Sequence, residues 1–144
     1  MKRRKFITAL LLPATAWMVG CKKYDSWDTI VKGRVVAENN QPVEGVKFQF
    51  YGVKETRVFK QEFTFDTTGQ SNREGYYQLS YLIPSSTDIA QLIGVDTTAF
   101  DLGKTHDLLI ENPAGQYIQL GGPVGVLPKD FGKTTVFNFL LRKR

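Results

Sequence analysis

Val46-Lys47-Phe48-Gln49-Phe50-Tyr51 sets Val46, Phe48 and Phe50 on one parity and Lys47, Gln49 and Tyr51 on the other. Successive side chains of a strand point to opposite faces, so this stretch reads as a strand with one face in a core. The same period of two continues outward along the chain. Phe59, Phe63 and Phe65 share a parity, with Lys60, Glu62 and Thr64 on the other. Tyr77, Leu79, Tyr81 and Ile83 alternate with Tyr76, Gln78, Ser80 and Leu82, and Phe137, Phe139 and Leu141 alternate with Val136, Asn138 and Leu140. Burying a phenylalanine is worth roughly 1.5–3 kcal/mol. These phenylalanines are therefore expected in the core.

Turn-forming residues separate the runs. Asn39-Asn40-Gln41-Pro42 closes a first hairpin, from residues 30–37 to residues 43–51. Asp66-Thr67-Thr68-Gly69 and then Arg73-Glu74-Gly75 mark a second connection. Asn112-Pro113-Ala114-Gly115 marks a third, between residues 108–111 and 116–120. Gly and Asn tolerate positive φ, and Pro presets a turn. Residues 88–93 (DIAQLI) form the one stretch that reads as a short helix, and residues 121–132 read as a loop rich in Gly and Pro. Short strands at regular spacing specify an all-β domain, a sandwich or barrel. About seven strands fit a two-sheet Greek-key sandwich, immunoglobulin-like in layout, over residues 29–144.

Upstream of the strands the chain changes character. It opens MKRRKFITALLLPATAWMVGC: a basic start, an apolar run from Phe6 to Val19, then Gly20 and Cys21. This is the pattern of a signal peptide over residues 1–20. The apolar run is shorter than the roughly 20 residues that span a bilayer, and Pro13 interrupts it. Four of the 19 Lys and Arg (Lys2, Arg3, Arg4 and Lys5) precede Cys21, leaving 15 against 14 Asp and Glu. The basic balance thus belongs mostly to a removable segment, and a nucleic-acid-binding surface is not expected. Arg142-Lys143-Arg144 and Lys22-Lys23 read as solvated ends, with contact to anionic lipid as the minor reading. Cys21 is the one cysteine, so no disulfide can form within the chain and no cysteine cluster can hold zinc.

Met18-Val19-Gly20-Cys21 resembles the lipobox of bacterial lipoproteins, with Met18 where Leu is usual. That resemblance implies a diacylglycerol on the Cys21 thiol and cleavage before it. Two or more acyl chains give stable anchoring where one does not. Residues 21–28 would then be a lipidated tether, and Trp27 is either a membrane-interface residue or the first of the core. Lys22 is not the Asp associated with inner-membrane retention, so the outer membrane is favoured. Arg3-Arg4-Lys5-Phe6-Ile7 also resembles the core of a twin-arginine signal.

Val31-Lys32-Gly33-Arg34-Val35-Val36, then Gln41-Pro42-Val43-Glu44-Gly45-Val46-Lys47-Phe48, resembles the start of a carboxypeptidase regulatory-like domain, whose fold is the prealbumin (transthyretin) sandwich. Ser71-Asn72-Arg73-Glu74-Gly75-Tyr76-Tyr77 occupies the place of that family's Thr-Asp-x-x-Gly-x-Phe segment, with Asn72 for Asp. The match runs over about residues 30–82, and residues 84–104 look like an insertion. Gly33 and Gly45 would allow close strand approach or a bulge, Pro42 would fix a turn, and Asn72 with Gly75 would form another. The resemblance implies a non-catalytic module of the cell envelope that binds or assembles with an envelope protein.

The residues offer little catalytic chemistry. Intradiol dioxygenases share the same sandwich and resemble this chain in GRVV…PVEGV, but they hold iron with two Tyr and two His, and His106 is the one histidine here. His106 beside Asp107 is the one general-base candidate, and Ser85 and Ser86 lack a nucleophile elbow. Residues 127–134 (LPKDFGKT) miss the first Gly of a P-loop and lead into an apparent strand, where that motif needs a helix. Asp66, Gly69, Asn72 and Glu74 offer oxygens to Ca²⁺, but not at EF-hand spacing, so a polar loop is the simpler reading. No catalytic residue, metal site or cofactor is expected. Tyr24, Trp27, Tyr51, Tyr76 and Tyr81 are candidates for an aromatic platform in an alternative role, glycan or small-ligand binding. Coplanar exposed aromatics in a cleft would favour that role, and an unpaired edge strand or exposed apolar patch would favour a protein-interaction module.

Overall fold

In a computed structural model, which describes residues 27–56 and 60–144, Val46, Phe48 and Phe50 are buried and Lys47, Gln49 and Tyr51 lie half-exposed on the other face. The alternating runs become strands β1 (Thr29–Ala37), β2 (Lys47–Glu55), β3 (Gln61–Gln70), β4 (Tyr76–Tyr81) and β5 (Ile89–Val95). Then come β6 (His106–Glu111), β7 (Tyr117–Gln119), β8 (Val124–Val126), β9 (Thr134–Val136) and β10 (Phe139–Lys143), with one 3₁₀ turn at Pro128–Asp130. One sheet has the order β4-β1-β10-β6-β7, with β9 also on β1, and the other has β3-β2-β5-β8. The two faces meet in a two-sheet β-sandwich.

Aromatic side chains join the sheets. The Phe48 ring from β2 stacks on Tyr77 of β4 at 4.3 Å and on Phe139 of β10 at 5.1 Å. Phe50 meets the edge of Phe65 at 5.1 Å. Val31, Val35, Leu79, Leu92 and Leu141 fill the space around them.

β1 shares one edge between two parallel partners. Residues Ile30–Lys32 pair with β9 and Val35–Ala37 pair with β10. Between them the chain kinks at Phe137 and Asn138. The Phe137 N–H donates to Lys32 O at 2.9 Å, and Asn138 Oδ1 accepts the Arg34 N–H at 3.0 Å, standing in for a backbone carbonyl. These two bonds carry the β1 edge across the kink.

Several sequence expectations are corrected. The turn at residues 39–42 forms, with Ala37 N–H on Gln41 O at 2.8 Å, but β1 and β2 are not a hairpin. After a short bridge between Val36 and Pro42 the chain crosses to the other sheet. Residues 66–69 are strand, inside β3, and the connection narrows to residues 71–75. Residues 88–93 are not helical: β5 runs between β2 and β8, so the supposed insertion holds a central strand. The supposed loop at 121–132 contains β8 and the 3₁₀ turn. Among the described residues ten strands stand where about seven were expected. Phe63 is 70% exposed, because the β2–β3 register slips between Gly52 and Val53: Gly52 pairs with Phe65, Val53 with Phe63, and Thr64 is left as the extra residue. A bulge of this kind turns the strand over by one residue.

Candidate functional site

The turn residues singled out in the sequence converge in space. Asn72 Oδ1 accepts the N–H groups of Glu74 and Tyr76, each at 3.0 Å, closing the β3–β4 turn. Gly75 has φ +80, and a Cβ there would meet Val35 O and the Pro42 ring. Its carbonyl accepts Val35 N–H at 2.8 Å. Gly45 donates to Ser71 O at 2.9 Å, and the buried Ser71 hydroxyl donates to Val43 O at 2.7 Å while accepting Val46 N–H at 3.0 Å. These bonds lock the two crossovers between the sheets. Pro42, Gly45, Asn72 and Gly75 are thus held by contacts within the fold, while Gly33 sits against the Phe137 kink, where with Asn72 it lines a cavity of about 490 Å³. Cys21, Arg3, Arg4, Gly20 and Tyr24 lie outside the described residues.

A cleft of about 500 Å³ opens between the sheets at the end where β5 finishes and β6 starts. Leu92, Leu102, Leu108, Leu120 and Phe139 make its floor, and Gln119, Asp107 and Arg144 stand at its rim. Gly94 allows this packing: a Cβ there would lie 2.7 Å from Leu102 and 2.8 Å from Leu108. Asp107 is buried and accepts from Arg144 Nε at 2.8 Å, Arg142 Nη2 at 3.3 Å and Gln119 Nε2 at 3.5 Å. The Arg144 bond, helped by Arg142 and Gln119, holds its carboxyl below the usual carboxylate range against the opposing effect of desolvation. Arg142 and Arg144 are therefore ion-pair partners of Asp107 while their side chains stay 40% and 50% exposed, at the solvated terminus expected from sequence. Sequence reading missed them and Gln119 because they reach Asp107 only through the β6–β10 and β6–β7 pairings.

The depressed acidity has a consequence for stability. A carboxylate favoured in the folded state contributes fully above its unfolded value, and the contribution is lost as pH falls through the folded one. Asp107→Asn should lower the denaturant midpoint at pH 7, and the gap from wild type should close as pH drops below the range of a free carboxylate. Denaturant titrations across pH check this. A gap that stays constant into strong acid would refute the assignment.

The remaining candidates are dispersed. His106 Nδ1 lies 2.8 Å from Thr105 Oγ1, and its ring stands on edge to Phe100 at 5.3 Å. As neighbours on β6, His106 and Asp107 point to opposite faces, so they form no acid–base pair. Ser85 and Ser86 are exposed in a turn. Asp66 accepts from Gln49 Nε2 at 2.9 Å across the sheet, and Asn72 closes its own turn, so the four proposed calcium donors do not converge. Among the described residues no group of three His, Cys, Asp or Glu is close enough for a metal ion. Among the described candidates Tyr51, Tyr76 and Tyr81 each meet a different partner. Tyr51 meets Phe63 at 72°, Tyr76 sits under the Arg34 guanidinium at 5.5 Å, and Tyr81 stacks on buried Phe65 at 4.5 Å.

No family model and no curated protein matches the sequence. Among solved structures, the chain is similar to BcpA, the major pilin subunit of Bacillus cereus (15% identity, TM-score 0.44, 82% of this chain and 31% of that one). It is also similar to a streptococcal ancillary pilin (15% identity, TM-score 0.41, 83% of this chain and 33% of that one). A third is 3-chlorocatechol 1,2-dioxygenase from Rhodococcus opacus (12% identity, TM-score 0.43, 85% of this chain and 62% of that one). The chain spans about a third of the length of the two pilins.

Proposed function

We propose that the chain is a non-catalytic lipoprotein of the cell envelope, held by lipid on Cys21, whose carboxypeptidase regulatory-like sandwich is an accessory or protein-interaction module. The outer membrane is the favoured location. The observation that carries the interaction reading is β3, at ten residues the longest strand among the described residues, which lies at a sheet edge with β2 as its strand partner. Ser71 N–H bonds to Val46 O, which fixes the alternation of the ladder. Pairs 48/69 and 50/67 then exchange bonds with β2, and Asp66, Thr68 and Gln70 turn their N–H and C=O groups outward. Such a row is a template for an added strand from a partner. The dispersed aromatics offer no comparable support for glycan binding.

The test combines metabolic labelling with a fatty-acid analogue, membrane fractionation and envelope crosslinking. Wild type should take label, pellet with membranes and crosslink to a partner. Cys21→Ala should lose label and pelleting. Thr68→Pro should keep both but lose the crosslink, since it removes an outward donor without touching the β2 ladder. An unlabelled wild type, soluble outside the cytoplasm, would sink the anchored reading. Crosslinks unaffected by Thr68→Pro would remove β3 as the docking edge.

A further inference from the structure

Among the described residues, five of the eight exposed large apolar side chains collect at one end of the sandwich, while Tyr76, Ile118 and Val136 lie elsewhere on it. The chain enters β1 at Thr29, whose pairing with Tyr81 and whose hydroxyl on Gly132 N–H at 2.8 Å bring residues 81–83 and 127–133 alongside. The pairing of Val53 with both Phe63 and Ile89 brings the end of β2 and the start of β3 and β5 to the same end. Trp27 (71% exposed), Phe63 (70%), Leu82 (54%) and Leu127 (48%) stand there together with Tyr81 (36%). The cleft, the 39–42 turn and Arg144 all lie at the opposite end.

We infer that this end is a membrane seat: it rests on the lipid bilayer with these side chains in the interfacial layer. The inference rests on the anchored reading above. What selects a bilayer as the occupant is the course of the chain. Cys21 precedes Trp27 by six residues, a reach of about 20 Å even when fully extended. A lipid on Cys21 therefore holds this end, and no other, against the surface. Tryptophan, tyrosine and leucine at the margin of an anchored protein are the residue types that settle at the headgroup level. In the described segments at this end Lys54, Lys60, Lys129 and Lys133 stand against Asp28, Glu55, Glu62, Asp88 and Asp130. Among the described residues the seat is thus apolar in character, and its contact should hold on neutral lipid. β1 is nine residues long, so its rise of about 3.3 Å per residue carries the cleft roughly 30 Å above the surface.

Removal of residues 1–20 leaves Trp27 as the one tryptophan of the mature chain, because the other is Trp17. The full mature protein, its lipid verified by mass, would be reconstituted into neutral phosphatidylcholine vesicles carrying brominated acyl chains. Two reporters would be compared in a Trp27→Phe background: Leu82→Trp at the seat and Asn39→Trp at the far end. The seat reporter should be quenched roughly twofold, most strongly at a depth of about 5–10 Å, and equally in low and high salt. The far reporter should be unaffected. A correct lipid mass with no quenching of the Leu82→Trp protein, or with equal quenching at both ends, overturns the seat and leaves the anchor standing. Absence of the lipid mass overturns the anchored reading and the seat with it. Circular dichroism of both variants confirms that each retains the sandwich.

Discussion

Gly33→Ala is expected to prevent the domain from reaching its native stability. A Cβ at this position falls on the carbonyl oxygen of Phe137, and beside it lies the Tyr77 ring at 3.1 Å. The first obstacle is backbone, fixed on both sides: Phe137 N–H is bonded to Lys32 O, and the Phe137 oxygen accepts the Tyr77 hydroxyl at 2.7 Å. Tyr77 is buried enough that desolvation pushes its phenol far above its ordinary acidity range, so the hydroxyl stays neutral and donates. The methyl group must therefore open the kink between β9 and β10, which strips Tyr77 of its acceptor and Lys32 of its donor. The cost should reach or exceed the roughly 3 kcal/mol top of the usual overpacking range, against a total stability of about 5–15 kcal/mol. Gly121→Ala is the control, since nothing lies within 4 Å of a Cβ there. Denaturant titration of both variants decides the matter. If Gly33→Ala unfolds with the wild-type midpoint, the kink is not the constraint described here.

The sequence made strands legible wherever one face alone is buried. At residues 46–51 the pattern of apolar side chains and the burial coincide position by position. It misled where both faces carry apolar groups. On β5, Ala90 and Leu92 enter the core while Ile89 and Ile93 sit half-buried on the outer face. The spacing of 89, 92 and 93 mimics one face of a helix. Turns were readable as turns, because Asn, Pro and Gly act locally. Their strand partners were not, because β1 pairs with β4, β9 and β10, and none of those registers is written in neighbouring residues. The cleft failed for the same reason. Asp107 and Arg144 are separated by 37 residues and meet only through the β6–β10 ladder. The adjacency of His106 and Asp107, which invited an acid–base reading, guarantees that they diverge on a strand.

Phe48→Ala and Phe63→Ala should separate sharply, although both phenylalanines share the alternating signature. Phe48 has no exposed surface and stacks on Tyr77 and Phe139, so it belongs to both sheets at once. Its removal leaves a cavity that neither sheet can close without moving the other, and should cost about 3–5 kcal/mol. Phe63 lies beyond the bulge, on the outer face, where its main neighbour is the Tyr51 ring at 5.5 Å. Its loss should change folding stability by no more than about 0.5 kcal/mol. Folding would therefore not explain a large aromatic at this position, whereas an interfacial role at the tether end would. Denaturant midpoints of the two variants in solution test the contrast. Comparable losses would mean that Phe63 packs inward and that the register slip between Gly52 and Val53 is wrong. A large loss for Phe48→Ala alone would leave Phe63 a residue whose value lies outside the core.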